Sequence, residues 1–482
     1  MALANDIPLV VDLDGTLTPT NTLVESVVKA VKKSPLNLLR IPFWLLRGRA
    51  GFKEAVAGHA TLAGDALPYR EPVLDYLRSE KQKGRRLVVA TGVHHSIAHN
   101  VAGHLGLFDQ VLATENGHNL IGAAKLEAIK AQVGEDFDYV GDSRADVPVW
   151  KAARSAVLVD VSVSTARSVR EDVRIEREFV GEGSGLAVWI KALRVHQWMK
   201  NLLLFVPLLT AFSFTDIGRL ATMCLAFLSF SLAASATYLA NDLWDLDNDR
   251  AHPRKRQRPF ASGRLSILTG MSAASIALLA AFGMAWSVSP GFFVMLVVYL
   301  ISTSLYSWFL KERMIIDVLL LSLLYTLRIV AGSVAVGIPT STWLLAFSVF
   351  IFLSLALVKR CAELVSLREA GRDTTRGRDY RVSDLVVLWP MGLAAALSAV
   401  VVFGLFISAP ETQARYGTPQ LLWFVALGLV YWLARMWIKT ARNAMHDDPV
   451  AYSIKDRGSR VILAGLVFLM LAAHMLPFGS LS

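Results

Sequence analysis

From about residue 200 onward the chain is a series of apolar runs of about 20 residues joined by short polar loops, and no such run lies before that point. A helix of that length crosses the ~30 Å hydrocarbon core of a bilayer. Inside a bilayer only helices and closed barrels satisfy every backbone polar group. The larger part of the chain is therefore expected to be an all-α membrane bundle, preceded by a unit of different composition. The 482 residues are 54% hydrophobic and only 18% charged, which agrees with that division. The runs predict nine spans: 201–215, 219–240, 266–287, 291–310, 315–336, 342–359, 384–408, 420–438 and 460–478. The loops after the second, fourth, sixth and eighth spans hold nearly all the Lys and Arg; Arg219 and Arg415 are the exceptions on the other side. The positive-inside rule puts those basic loops and the N-terminal unit in the cytoplasm, on a cell (inner) membrane, with the C-terminus outside. The net charge of +10 then reflects the basic loops rather than a nucleic-acid partner. No signal-peptide pattern opens the chain. Cys224 and Cys361 lie in or at the end of apolar runs, so neither a disulfide framework nor a zinc spacing is expected.

Directly after the second run come Asn241-Asp242-Leu243-Trp244-Asp245-Leu246-Asp247-Asn248-Asp249. Carboxylates at the end of a membrane segment are costly unless they bind something. Asp242, Asp245 and Asp249 share one face if the helix continues through them. Three carboxylates on one face repel unless cations hold them, and Mg²⁺, which takes oxygen ligands and accompanies phosphates, suits that set. The basic run His252-Pro253-Arg254-Lys255-Arg256-Gln257-Arg258-Pro259 follows at once. Acid for metal beside base for phosphate, at a membrane face, predicts handling of a Mg-diphosphate near lipid.

Near the N-terminus, Leu9-Val10-Val11-Asp12-Leu13-Asp14-Gly15-Thr16 reads as a buried strand that ends in two aspartates and a glycine turn. Arg86 to Gly92 is a second strand ending at Thr91, Lys125 stands in a Gly-Ala-Ala-Lys context, and Tyr139-Val140-Gly141-Asp142-Ser143-Arg144-Ala145-Asp146 is a third acidic turn. In this order the four segments resemble the motifs of the haloacid dehalogenase (HAD) phosphohydrolase superfamily over about the first 160 residues. The resemblance implies an α/β parallel sheet with a helical cap. It implies Asp12 as the nucleophile that takes the phosphoryl group, Asp14 as general acid/base, and Thr91 and Lys125 as partners of the phosphoryl oxygens. Asp12, the Asp14 backbone carbonyl and Asp142 would hold Mg²⁺, with Asp146 a ligand or support. The cap is expected at about 19–85. Within it, Leu38 to Arg49 interleaves apolar and aromatic residues with arginines, which reads either as cap core or as an interfacial segment that admits a lipid-linked phosphate.

The boundaries expected are a HAD domain at 1–163, a linker and basic interfacial helix at 164–190, and the membrane domain at 191–482. The nine spans with Asn-Asp-x-x-Asp-x-x-x-Asp resemble the UbiA superfamily of intramembrane prenyltransferases, most closely its branch that makes decaprenyl-phosphate-linked 5-phosphoribose. Val195 to Asn201, including Lys200 and Asn201, matches its opening motif. The resemblance implies that Asp242, Asp245 and Asp249 hold Mg²⁺ on the departing pyrophosphate, with Asn241 a substrate-site candidate. Lys255 and Arg258 would bind pyrophosphate or the sugar phosphate, and Lys359, Arg360 and Arg378 the lipid or sugar phosphate. Tyr306, Lys311, Asp317, Tyr380 and Lys455 are further substrate-site candidates. Arg328, mid-span by sequence, costs ~3 kcal/mol unless it is paired or faces a polar cavity. Asp447, Asp448 and Asp456 are candidates for a second ion.

Together the halves imply a bifunctional enzyme whose partners are polyprenyl phosphate, phosphoribosyl pyrophosphate or another diphosphate, and the membrane. Two other readings stay open: polyprenyl transfer from a diphosphate to an aromatic acceptor, and a HAD unit that only regulates or docks. Prenyl length and oligomeric state are not legible.

Overall fold

The computed structural model describes residues 7–60, 62–115, 118–181, 183–374, 378–445 and 448–476. The chain forms two units, Met1–Leu193 with Tyr238–Ser275, and Arg194–Thr237 with Ile276–Ser482.

In the first unit the apolar triplet Leu9–Val11 is fully buried as strand β1. It pairs in parallel with β2 (Leu87–His94) on one side and β4 (Asp138–Gly141) on the other. With β3 (Gln110–Thr114), β5 (Ser155–Val159) and β6 (Arg174–Phe179) the sheet runs β3-β2-β1-β4-β5-β6. Strands buried on both faces need apolar residues at every position, which is why β1, β2 and β5 read as continuous runs. The connections reverse direction at β1, and a parallel sheet opens a crevice at the carboxyl ends on either side of such a point. Asp12, Asp14 and Asp142 follow directly on β1 and β4, so the topology delivers them together.

An insertion between β1 and β2 supplies the cap helices α1 (Thr22–Lys33), α2 (Asn37–Leu45) and α3 (Gly48–His59). The next helix, α4 (Glu71–Gln82), packs Val73, Leu74 and Leu77 on the sheet. The cap therefore ends near residue 59, not near 85 as expected. Helices α5 (His95–Leu105), α6 (Ala123–Gln132), α7 (Val147–Ala152) and α8 (Val163–Asp172) complete the α/β body. The expected boundary at 163 is also too early: α8 and the edge strand β6 belong to the body. Arg174, Glu176, Arg177 and Glu178 crowd β6 with charge, which blunts an open sheet edge and makes the strand look like linker. Helix α9 (Leu186–Ala192) follows, and the chain turns at Arg194, whose φ is 50°.

Residues 238–275 return to this unit. They hold the last turns of α11 (Ile217–Trp244), the short α12 (Leu246–Ala251) and the start of α13 (Ile267–Val288). The intervening five-residue helix α10 (Val206–Thr210) belongs to the second unit. Leu239, Leu243, Leu246, Phe260 and Leu265 cluster with Ala192 of α9, and Val24 and Val28 of α1 pack against them. At the edge of this cluster Arg250 makes a two-pronged pair with Glu25 of α1, both contacts 2.7 Å, with side chains only 9% and 4% exposed. Arg250 also donates to the carbonyls of Ala66 and Ala261. Arg250→Met strands a buried Glu25 and is expected to cost ~3–5 kcal/mol. Thermal unfolding of the detergent-solubilised protein should show the loss, and adding Glu25→Gln should restore more than half of it.

The second unit is helical: α14 (Pro290–Trp308), α15 (Ile316–Val336), α16 (Thr342–Glu369), α17 (Leu385–Ser408), α18 (Pro410–Arg415), α19 (Leu422–Ala441), α20 (Pro449–Lys455) and α21 (Arg457–Met475), with most of α11 and α13. Among the described residues eight helices are long and apolar enough to cross a membrane, not nine. The difference is the expected span 201–215. It folds as a 3₁₀ helix, Val195–Phe205, followed by α10, where Pro207 sits in the first turn and lacks a backbone donor. The 3₁₀ segment lies on α15, whose Gly332 makes the approach possible: a Cβ there would stand 2.0 Å from the Leu204 carbonyl oxygen.

Candidate functional site

In the first unit the crevice beside β1 holds four charged groups. Among the described residues Asp12, Asp142 and Asp146 are the acidic trio whose ligand atoms all lie within 4.8 Å of one another. Lys125 of α6 sits among them, 3.1 Å from Asp12 and 2.9 Å from Asp146. Asp146 has no free oxygen: Oδ1 also accepts from the Tyr139 hydroxyl, and Oδ2 from the Ser143 backbone N–H and hydroxyl. It therefore buttresses Lys125 and leaves Asp12 and Asp142 as the open carboxylates. Asp12 is oriented by the Leu13 N–H at 2.8 Å, and Asp142 by the Thr16 hydroxyl at 3.2 Å. Gly15 permits this closeness, since its φ is 81° and a Cβ would fall 2.0 Å from Asp142 Oδ2.

One ammonium does not balance three carboxylates. Burial, with repulsion from Asp12 and Asp146, pushes Asp142 up to about 8, and burial raises Asp12 as well. An excess of buried, oxygen-only negative charge is the donor chemistry of a hard divalent cation, so these residues fit Mg²⁺. Asp14 points elsewhere: it accepts from the Thr22 backbone N–H and hydroxyl, each at 3.2 Å. Burial raises it to about 7 against those two bonds, so near neutrality it can carry a proton and give it up. Thr91 is buried at the same crevice.

The crevice opens into a cavity of about 810 Å³ roofed by the cap. Lys53 of α3 lines it and donates to Asn119 Oδ1 at 2.6 Å and to the Gly92 carbonyl. Arg49 and Phe52 line it too. The motif reading missed Lys53 and Thr22. A lysine on a short cap helix carries no local mark of facing a sheet more than thirty residues away, whereas Thr22, eight residues after Asp14, had a detectable signal as the first residue after an Asn cap.

The same unit holds the second acidic segment. The helix does not run through it: α11 ends at Trp244, and Asp245 is the break before α12. Asp242, Asp245 and Asp249 therefore do not form the single helical face expected. Asp242 and Asp249 are nonetheless buried and brought together, because Arg258 Nη1 lies 3.0 Å from one and 2.6 Å from the other. The cation between these carboxylates is a guanidinium from the basic run. Lys255 is exposed, and Asn241 is half-buried in the last turn of α11.

In the second unit a basic centre gathers around Asp448. Lys200 lies 2.9 Å from it, Lys359 3.4 Å, and the Tyr325 hydroxyl 3.2 Å. Burial alone would raise Asp448, but Lys200 and Lys359 outweigh it and hold the carboxyl well below its usual range. Among the described residues Arg328 donates to neutral groups: Asn201 Oδ1 at 3.0 Å, the Leu324 carbonyl at 2.6 Å and the Tyr299 hydroxyl at 3.2 Å. The mid-span charge is thus met by hydrogen bonds. Lys200 and Lys359 both reach Asp448, and paired ammonium groups of this kind suit a phosphate.

Residues 202–455 match the UbiA prenyltransferase family, and residues 9–151 match the haloacid dehalogenase-like hydrolases. The chain belongs to the UbiA prenyltransferase family. It carries a HAD hydrolase domain in front, so it is a transferase fused to a phosphatase in a multi-pass membrane protein. The uncharacterized protein y4nM of Sinorhizobium fredii is 39% identical over 94% of this chain and 88% of its own length. The nodulation protein NoeC of Azorhizobium caulinodans is 37% identical over 58% of this chain and 93% of its own. The decaprenyl-phosphate phosphoribosyltransferase of Mycobacterium tuberculosis is 33% identical over 56% of this chain and 88% of its own.

Other expected site residues of the UbiA bundle are committed to one another. Arg360 and Asp317 are fully buried as an ion pair; Arg360 also meets Glu363, and Asp317 accepts from the Tyr380 hydroxyl. Arg378 reaches Glu363 at 3.0 Å. This network ties α15, α16 and the loop before α17. Asp456 caps α21 and is held well below its usual range by Arg435 and Lys439, so it is not grouped with Asp448. Asp447 lies outside the described residues. Tyr306 and Lys311 are half-buried at and after the end of α14, and Lys455 is exposed at the end of α20.

Proposed function

We propose that the membrane domain transfers 5-phosphoribose from phosphoribosyl pyrophosphate to a polyprenyl phosphate, and that the HAD domain then removes the 5-phosphate. The name of the mycobacterial relative supports the first step. The two lysines that reach Asp448 support it too, because an acceptor phosphate needs countercharge that an aromatic ring does not. An acceptor phosphate oxygen forms the new bond to ribose C1 while the C1–O bond to pyrophosphate breaks, and the electron pair leaves with pyrophosphate. Arg258 and Lys255 are the positive groups for that leaving charge, with Asp242, Asp245 and Asp249 the carboxylates for Mg²⁺. Bound Mg²⁺ would neutralise phosphate oxygens at both sites.

In the hydrolase, Asp12 attacks the phosphorus, the P–O bond to ribose C5 breaks, and Asp14 protonates the departing oxygen. Asp14 then takes a proton from the water that cleaves the aspartyl-phosphate, releasing inorganic phosphate. Lys125 holds charge on the phosphoryl oxygens.

The observation that carries the pairing of activities is the Glu25–Arg250 contact, which fixes the acidic segment of the transferase to the cap of the phosphatase. Tethering raises one site's product at the other to about mM. The basic loops after the second, fourth, sixth and eighth expected spans support a cytoplasmic placement of the hydrolase. Purified protein given Mg²⁺, decaprenyl phosphate and phosphoribosyl pyrophosphate is expected to yield lipid-linked ribose by mass spectrometry. Absence of any ribosylated lipid would reject the reading in favour of an aromatic acceptor.

A further inference from the structure

The cap carries a surface that nothing in the hydrolase body covers. On α2 and its C-terminal flank, Leu39 is 69% exposed, Phe43 70% and Leu46 84%, with Leu36, Leu38 and Leu45 also open. Trp44, in the same stretch, is 6% exposed and packs its ring 4.7 Å from His59. The aromatic-rich segment is thus divided: Trp44 is cap core, and its neighbours face outward. Scattered apolar residues on a surface are ordinary, but a contiguous patch of this size marks a contact.

Three observations identify the occupant. First, from Ser26 to Lys53 the chain has no Asp or Glu, while Lys33, Arg40, Arg47 and Arg49 are exposed around the patch. Apolar residues interleaved with cations suit an interfacial helix on an anionic lipid surface. Second, among the described residues of the same chain eight helices are long and apolar enough to cross a membrane, so a bilayer is at hand. Third, the patch runs into the catalytic cavity, since Leu45 and Arg49 line the cavity that ends on Asp12 and Lys125.

We propose that α2 lies in the headgroup layer of the bilayer, and that the phosphatase takes a lipid-linked phosphomonoester directly from the membrane, past Leu45 and Arg49. The substrate half of this proposal rests on the function proposed above; the docking half does not.

The test uses the full chain in nanodiscs of phosphatidylcholine and phosphatidylglycerol. In a Cys224→Ser background, which leaves only the buried Cys361, Phe43→Cys and Leu39→Cys are each labelled with a bimane. Glu127→Cys on α6 is the reference. Lipids brominated on the acyl chain should quench the Phe43 and Leu39 labels at least twofold and leave the Glu127 label unchanged. Equal quenching at all three sites overturns docking. So does shielding of Phe43 from aqueous iodide without quenching by brominated lipid, which would mean self-association. The double variant Leu39→Ser/Phe43→Ser should lose about tenfold in turnover of lipid-linked ribose 5-phosphate and keep p-nitrophenyl phosphate hydrolysis within twofold. Equal loss on both substrates overturns delivery from the membrane. If the wild type ignores lipid-linked ribose 5-phosphate while the labels are quenched, the substrate assignment fails and the docking stands.

Discussion

Asp12→Asn is expected to abolish phosphomonoester hydrolysis, by about four orders of magnitude or ~5.4 kcal/mol of barrier, while leaving ribosyl transfer intact. The nucleophile has no substitute within reach. Asp14 is turned toward Thr22, both oxygens of Asp146 are occupied, and Asp142, the other open carboxylate, is the group expected to hold Mg²⁺. The variant should still fold, because removing a carboxylate from a buried cluster relieves repulsion, and Lys125 keeps Asp146. The sign follows from the raised Asp12: a carboxyl pushed above its unfolded value costs stability once pH rises past that unfolded value, so a neutral amide removes the cost at pH 7. With decaprenyl phosphate and phosphoribosyl pyrophosphate, the variant should accumulate lipid-linked ribose 5-phosphate where the wild type accumulates lipid-linked ribose. The dephosphorylated lipid from both proteins would remove the HAD domain from this reaction. A variant that makes no lipid product at all would mean the two halves are not separable. The same lipid assay on Lys53→Met would then read whether the cap lysine touches the substrate.

The sequence made some of this legible and hid the rest for definable reasons. Asp12, Asp14 and Asp142 follow strands and Thr91 lies within one, and the buried-on-both-faces character of such strands is visible in Leu9–Val11 and Leu87–Ala90, so short motifs of that kind carry their own context. The eight long helices are visible because a bilayer demands an unbroken apolar length. The misses are of two sorts. Some came from local patterns that serve another purpose: the charges of β6 protect an edge, and the hydrophobicity of 201–215 belongs to a broken segment started by Pro207. Others depend on contacts distant in sequence. Nothing near Arg250 announces Glu25, 225 positions away, and nothing near Arg360 announces Asp317, 43 away. Arg258 shows the middle case. Its closeness to Asp242 and Asp249 suggested phosphate binding, but only the break at Asp245 lets a side chain nine residues past Asp249 reach both carboxylates.

That geometry sets the second large effect. Asp242→Asn is expected to lower ribosyl transfer at least a thousandfold, ~4 kcal/mol, with hydrolysis of supplied lipid-linked ribose 5-phosphate unchanged. Asp242 and Asp249 are buried, and the Arg258 guanidinium lies between them, 3.0 Å from one and 2.6 Å from the other. A divalent ion carrying a diphosphate must compete with Arg258 for these oxygens and must then be met by it from the phosphate side. Arg258→Gln should therefore separate two quantities. The Mg²⁺ concentration for half-maximal rate should fall, because the competing charge is gone. The KM for the diphosphate should rise about tenfold to a hundredfold, roughly 1.4–2.7 kcal/mol, because a charged hydrogen bond to the leaving group is lost. A rise in both quantities would place Arg258 as structural support for the metal site alone. No change in KM would mean that the leaving diphosphate is held by other groups, with Lys255, exposed on the same basic run, the next to replace.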